Sequence, residues 1–125
     1  MGDFMDVIKF YRELVPMEGF QGDTLPAFFI DPELNDLTDY SMELILEDTK
    51  TAGSIFFRKA CAKIISEETE IFTVQLTSQE TEGFTGKYHL HFWLYDDENN
   101  LKYKKLAGTL TFVPSPREES QEEEP

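Results

Sequence analysis

His89 and His91 stand two residues apart in the run Gly86-Lys87-Tyr88-His89-Leu90-His91-Phe92-Trp93-Leu94-Tyr95. On one face of a strand, two imidazoles have attachment points about 7 Å apart and can share a zinc ion. A structural or catalytic zinc site needs a third ligand, and the chain offers neither a second H-x-H motif nor a cysteine pair. Carboxylates cluster at Asp96-Asp97-Glu98, at Glu67-Glu68, and at Asp31 with Glu33 and Asp36. Each cluster falls in a predicted turn. No local device sets one carboxyl against its neighbour, so solvated turns are expected rather than an acid–base pair or a calcium loop. Cys61 is the only cysteine and lies in Lys59-Ala60-Cys61-Ala62-Lys63. It reads as a small buried apolar residue, not a nucleophile. There is no glycine-rich phosphate cradle, no Ser-His-Asp order and no H-E-x-x-H motif. The expectation is a protein that is not an enzyme, with no metal and no cofactor.

The element that carries the histidines is more informative than the histidines themselves. Tyr88, Leu90, Phe92 and Leu94 alternate with His89, His91, Trp93 and Tyr95. Successive strand side chains point to opposite faces, so one face is apolar and the other amphipathic. That outer face holds the only tryptophan and both histidines. Such a stripe is either covered by a loop or the N-terminal segment of the same domain, or, with a Trp beside a Tyr, suits a protein contact or, less well, a sugar stack. His89, His91, Trp93 and Tyr95 are therefore the candidate partner-binding residues.

The rest of the chain reads as antiparallel strands. The first spans Met5 to Arg12, and a loop or irregular edge follows from Leu14 to Gly22. Further strands are expected from Pro26 to Ile30 and from Ser41 to Asp48, with Met42, Leu44 and Leu46 inward and Ile45 as an apolar exception on the outer face. Ile55 to Ile65 reads as one strand whose core face is Phe56, Arg58, Ala60, Ala62 and Ile64, with a bulge able to switch parity partway. Ile71 to Leu76 puts Phe72, Val74 and Leu76 inward. Residues 77–84 form a short helical turn capped by Thr77 or Ser78, with Phe84 over the open end of the sandwich. Asp96 to Asn100 is a turn. The last strand begins at Leu101 and needs a bulge near Lys104 to Ala107, or a twist at Gly108, to keep its apolar residues inward. About seven strands without a βαβ rhythm make an all-β, antiparallel, immunoglobulin-like sandwich. The domain is expected over residues 1–113, and residues 114–125 as a disordered acidic tail.

The totals agree with one domain: 125 residues, 40% of them apolar, with 11 Phe, 5 Tyr and 1 Trp to fill a core between two sheets. The net charge is −14. Arg117 against five glutamates leaves −4 in the tail and −10 elsewhere. Lys and Arg are too few to neutralise phosphates or dock on an anionic bilayer, so neither nucleic acid nor membrane is an expected partner. No apolar run approaches 18 residues, and no charged-then-apolar leader is expected. Gly2 follows Met1, but Asp6 stands where a myristoylation motif has Ser or Thr.

Four stretches carry a resemblance: Gly22-Asp23-Thr24-Leu25-Pro26; Leu37-Thr38-Asp39-Tyr40; Leu76-Thr77-Ser78-Gln79-Glu80-Thr81 with Gly86-Lys87-Tyr88; and Lys105-Leu106-Ala107-Gly108-Thr109-Leu110-Thr111-Phe112. In order and spacing the set resembles the immunoglobulin-like β-sandwich modules of tailed bacteriophages and prophages. Within that class it resembles the N-terminal domains of upper baseplate or tail-fibre proteins. The resemblance covers Met5 to Val113. It implies a virion structural or adaptor module, assembled in the bacterial host cytoplasm, often multimeric, with other virion proteins as partners. It implies no catalytic residues. A carbohydrate- or cell-surface-binding sandwich is the alternative expectation.

Overall fold

In the computed structural model, the described residues are 7–9, 16–34, 36–51 and 53–114, with backbone alone for 7–9 and 106. They form nine strands and one helical turn: β1 (Val7–Lys9), β2 (Met17–Phe20), β3 (Phe28–Asp31), β4 (Tyr40–Asp48), β5 (Ile55–Ala60), β6 (Ala62–Ser66), β7 (Thr69–Val74), α1 (Ser78–Thr81), β8 (Gly86–Asp96) and β9 (Leu101–Val113). One sheet has the order β1-β3-β7-β6 and the other β2-β9-β8-β4-β5. The all-β, immunoglobulin-like sandwich expected from the sequence is the fold observed. The expected tail beyond Pro114 and the ends of the expected first strand lie outside the described residues.

Alternation builds the core. Along β8, Tyr88, Leu90, Phe92 and Leu94 are buried while His89, His91, Trp93 and Tyr95 are half-buried. β4 adds Met42, Leu44 and Leu46; β3 and β7 add Phe28, Ile30, Phe72 and Val74 from the other sheet. Each such side chain contributes about 1.5–3 kcal/mol by leaving water. Phe84, after α1, closes one end: its ring meets Phe57, Phe56 and Phe112 at centroid distances of 5.0, 5.3 and 5.3 Å. The Tyr88 hydroxyl donates to the Thr85 carbonyl at 2.7 Å. A tyrosine at the start of this strand, bonded to the backbone just upstream, is the corner device of immunoglobulin-type sandwiches. Leu90 stands two residues later, where antibody domains place a cysteine.

The strand count exceeds the expected seven for two reasons. The expected loop or edge at 14–22 contains β2, which pairs in parallel with β9, Met17 opposite Leu110 and Phe20 opposite Val113. Gly19 fits this strand because a Cβ there would come within 2.9 Å of the Leu25 side chain. The expected single strand 55–65 is two strands that change sheets at Cys61: β5 pairs with β4, and β6 pairs with β7. Its core face also differs from the expected one. Phe57 and Cys61 pack against the core, whereas Arg58, Ala60 and Ala62 are exposed. Lys59 shares the inward parity because its stem crosses the open side, and its ammonium donates to the Gln75 carbonyl (2.6 Å) and the Glu80 carboxylate (3.0 Å). β1 and β3 are likewise parallel, so two of the pairings depart from the all-antiparallel expectation.

The bulge expected near Lys104 to Ala107 is present. The β8–β9 register shifts between Leu90 and His91, whose partners are Gly108 and Leu106. That shift lets Leu110 and Phe112 enter the core while Leu101 and Tyr103 keep the same facing parity further along.

The quoted motif pieces lock to one another across the fold. Gly22 sits at φ +89° in the turn that returns the chain after β2, a conformation that suits glycine. Thr81, fully buried, donates from Oγ1 to the Asp23 carbonyl at 2.7 Å. Thr24 Oγ1 accepts from the Ser78 N–H, and the Leu25 N–H donates to the Leu76 carbonyl. At α1, Thr77 and Glu80 form a reciprocal capping box. These residues do structural work at one corner of the sandwich.

Candidate functional site

The outer face of the five-stranded sheet brings together the four candidate residues and several that sequence reasoning left out. Register places Trp93 between Glu43 of β4 and Lys104 of β9, Tyr95 between Ser41 and Lys102, and His89 between Glu47 and Thr109. Cross-strand neighbours on one face are close enough to touch, and the contacts follow. Tyr95 donates to Glu43 Oε1 at 2.6 Å. Arg58, reaching across from β5, grips the same carboxylate through Nη2 at 2.7 Å and Nε at 3.3 Å. His91 Nε2 lies 2.8 Å from Glu47 Oε1, and the Gly53 N–H donates to the other Glu47 oxygen at 2.6 Å.

Trp93 lies among three cations. The Lys104 ammonium is 4.4 Å from the ring centroid, that of Lys102 5.0 Å, and the Arg58 guanidinium carbon 5.7 Å. Lys102 is also 5.5 Å from the Tyr95 ring. Cations at these distances are attracted to the negative ring faces. The tryptophan is thus flanked by long side chains from neighbouring strands. Beneath lies Ile45, the apolar exception on the polar parity, with no exposed surface. A cleft of about 390 Å³ opens here, lined by Ile45, Glu47, Ile55, His91, Trp93 and Lys104 among others.

The electrostatics are those of a braced surface. Hydrogen bonding from Arg58, then from Tyr95, holds the Glu43 carboxyl below its ordinary value against the cost of partial burial. Glu47 is lowered first by the Gly53 N–H and then by His91. Burial, then the bond to Glu43, raises the Tyr95 hydroxyl. Two polar atoms lie on the same face, buried and without a hydrogen-bond partner: Trp93 Nε1 and His89 Nδ1. Buried donors and acceptors are usually satisfied; these two are the exceptions on this face.

His89 and His91 do lie side by side, with ring centroids 6.5 Å apart and planes at 82°, but His91 is engaged by Glu47. Among the described residues no group of three or more His, Cys, Asp or Glu side chains could hold a metal ion. The Asp96 turn is self-satisfied: Asp96 accepts from the Asn99 backbone and side chain at 3.2 and 2.9 Å. Burial pushes the Cys61 thiol up to about 12, which leaves it protonated and unreactive at neutral pH.

Arg58, Lys102, Lys104, Glu43 and Ile45 belong to the face but were not singled out. Ile45 gave a signal as an apolar residue on the wrong parity. Lys102 and Lys104 gave one as alternate cations opposite Tyr95 and Trp93 across a predicted hairpin. Arg58 gave none, because the apolar pattern of its strand points it to the core face rather than the outer one. No family model matches the chain, and no curated protein is significantly similar to it.

Proposed function

We propose that this protein is a non-enzymatic structural or adaptor module, of the kind used in phage and prophage tails, baseplates or fibres. It docks on copies of itself and on other virion proteins through the outer face of the five-stranded sheet. The observation that carries the reading is the braced Trp93–Tyr95 surface: a rigid aromatic pair, bordered by cations and carboxylates fixed in place, with an unpaired indole N–H at its centre. Aromatic and arginine side chains over a partly dry centre, ringed by polar groups, are the usual anatomy of protein contacts. The resemblance of the corner motifs to phage sandwich modules supplies the biological setting. Sugar stacking has weaker support, because lysine and arginine occupy the approach to the indole ring that a sugar would need.

Trp93→Ala tests this. The side chain lies outside the core, so the far-UV spectrum and cooperative melting should persist while self-association weakens by roughly tenfold or more. Light scattering at matched concentration reads the mass. An unchanged mass distribution for the folded variant would overturn the reading.

A further inference from the structure

We propose that the acidic run from Glu118 to Glu124 of a second copy of this chain docks on the cationic stripe beside Trp93. The inference rests on the docking role proposed above for this face and names the segment of the partner copy that fills it. Lys104, Lys102 and Arg58 stand 4.4, 5.0 and 5.7 Å from the centre of the Trp93 ring. Among the described residues, neither lysine has a carboxylate at ion-pair distance. Glu43 and Glu47, which face the stripe from β4, are already held: Glu43 by Arg58 and Tyr95, Glu47 by His91 and Gly53. A carboxylate laid over the two lysines keeps their contacts with the ring and adds ion pairs.

The chain carries its own complement to this surface. Beyond Pro114 the sequence reads Ser115-Pro116-Arg117-Glu118-Glu119-Ser120-Gln121-Glu122-Glu123-Glu124-Pro125, with five glutamates, one cation and no apolar side chain apart from proline. Such a segment cannot bind by burying a hydrophobic face, so its contacts are ionic and hydrogen-bonded. Its sign is opposite to that of the stripe. Two copies of a chain whose net charge is −14 repel one another over most of their surface, and here they attract.

Chain geometry favours a second copy over the same chain. β9 runs away from the stripe: Lys104 and Lys102 precede Val113 by nine and eleven positions, about 30 and 36 Å at strand rise. Glu118 and Glu119 follow Val113 by five and six positions, so even when taut they reach no further than about 22 Å. On their own chain only Glu122 to Glu124 come level with Lys104. They do so only if the chain reverses and is then pulled straight, at the expense of most of its conformational freedom. From a second copy, the whole run can lie along Arg58, Lys104 and Lys102. Two copies that exchange these segments about a twofold axis make two identical contacts and close as a dimer. The first contact raises the effective concentration for the second.

The test uses the whole chain with Glu118→Gln, Glu119→Gln, Glu122→Gln, Glu123→Gln and Glu124→Gln together. Melting should be unchanged, and light scattering should show the dimer dissociating at roughly tenfold higher concentration. Wild-type association should weaken as salt rises, and that of the Gln variant should not. A synthetic peptide of residues 115–125, added to the Gln variant, should change the Trp93 emission saturably; the same peptide with Gln for every Glu should not. Adding Lys102→Glu and Lys104→Glu, both exposed positions, should abolish the response to the peptide while cooperative melting persists. Equal self-association of wild type and the Gln variant, or no response to the acidic peptide, would overturn the proposal. So would acrylamide quenching of Trp93 that is higher in the Gln variant by the same amount at every concentration, down to those where wild type is monomeric, because the run would then cover the face of its own chain. If the Gln variant associates as wild type does while Trp93→Ala does not, the inference about the acidic run falls and the docking face stands.

Discussion

At the residue scale, the side chains that attract chemical interest are held in structural roles, and each role has a measurable consequence. Cys61 is protonated by burial. It should therefore react slowly with a thiol reagent at pH 8 in the folded protein and fast in urea; fast reaction in both would contradict the assignment. Glu43 ionises more readily folded than unfolded because Arg58 and Tyr95 donate to it. A lowered folded pKa gives stability that is complete above the ordinary value of 4.5 and lost as pH falls through the lowered one. Glu43→Gln should consequently melt lower than wild type at neutral pH, with the gap closing as the solution is acidified; a gap that widens in acid would contradict this. Thr81→Val keeps the shape but leaves the Asp23 carbonyl without the donor from the buried Thr81 side chain. It should cost about 1–2 kcal/mol in urea unfolding. At this scale the stripe His89, His91, Trp93 and Tyr95 was legible because strict alternation fixes facing. What flanks it was not legible, because Arg58 arrives from a strand 35 positions earlier whose own pattern is ambiguous.

At the element scale, regular alternation marked the elements well and change of partner marked them badly. β4, β7 and β8 keep one parity throughout, and their inward residues were readable from spacing alone. The run from Ile55 to Ile65 changes sheets midway, so no single parity describes it, and Lys59 mimics an outward residue while its stem faces in. β2 was hidden because a glycine-containing strand of four residues is defined by its partner β9 more than by its own composition. The helical turn was legible from Thr77 and Glu80, since the capping box is a local device. Thr77→Ala removes the acceptor for the Glu80 N–H. It should destabilise the fold by about 1 kcal/mol, read as a lowered urea midpoint with unchanged slope; no shift would mean that the corner holds without its cap.

At the scale of the whole molecule, two sheets close over an aromatic core, the corner motifs tie β2, α1 and the start of β8 together, and an acidic protein presents a cationic, aromatic stripe on one sheet. The corner hydrogen bonds explain why short stretches far apart in sequence, such as Gly22-Asp23-Thr24 and Leu76 to Thr81, occur as a set: each completes the other. They establish the sandwich, while the docking role proposed here depends on the face that the sandwich displays. Acrylamide quenching of Trp93 emission across a dilution series reaches that claim most directly. The docking account predicts weak quenching at high protein concentration and a rise as the assembly dissociates. Quenching that stays constant from micromolar to near-millimolar protein, with the mass constant as well, would contradict it.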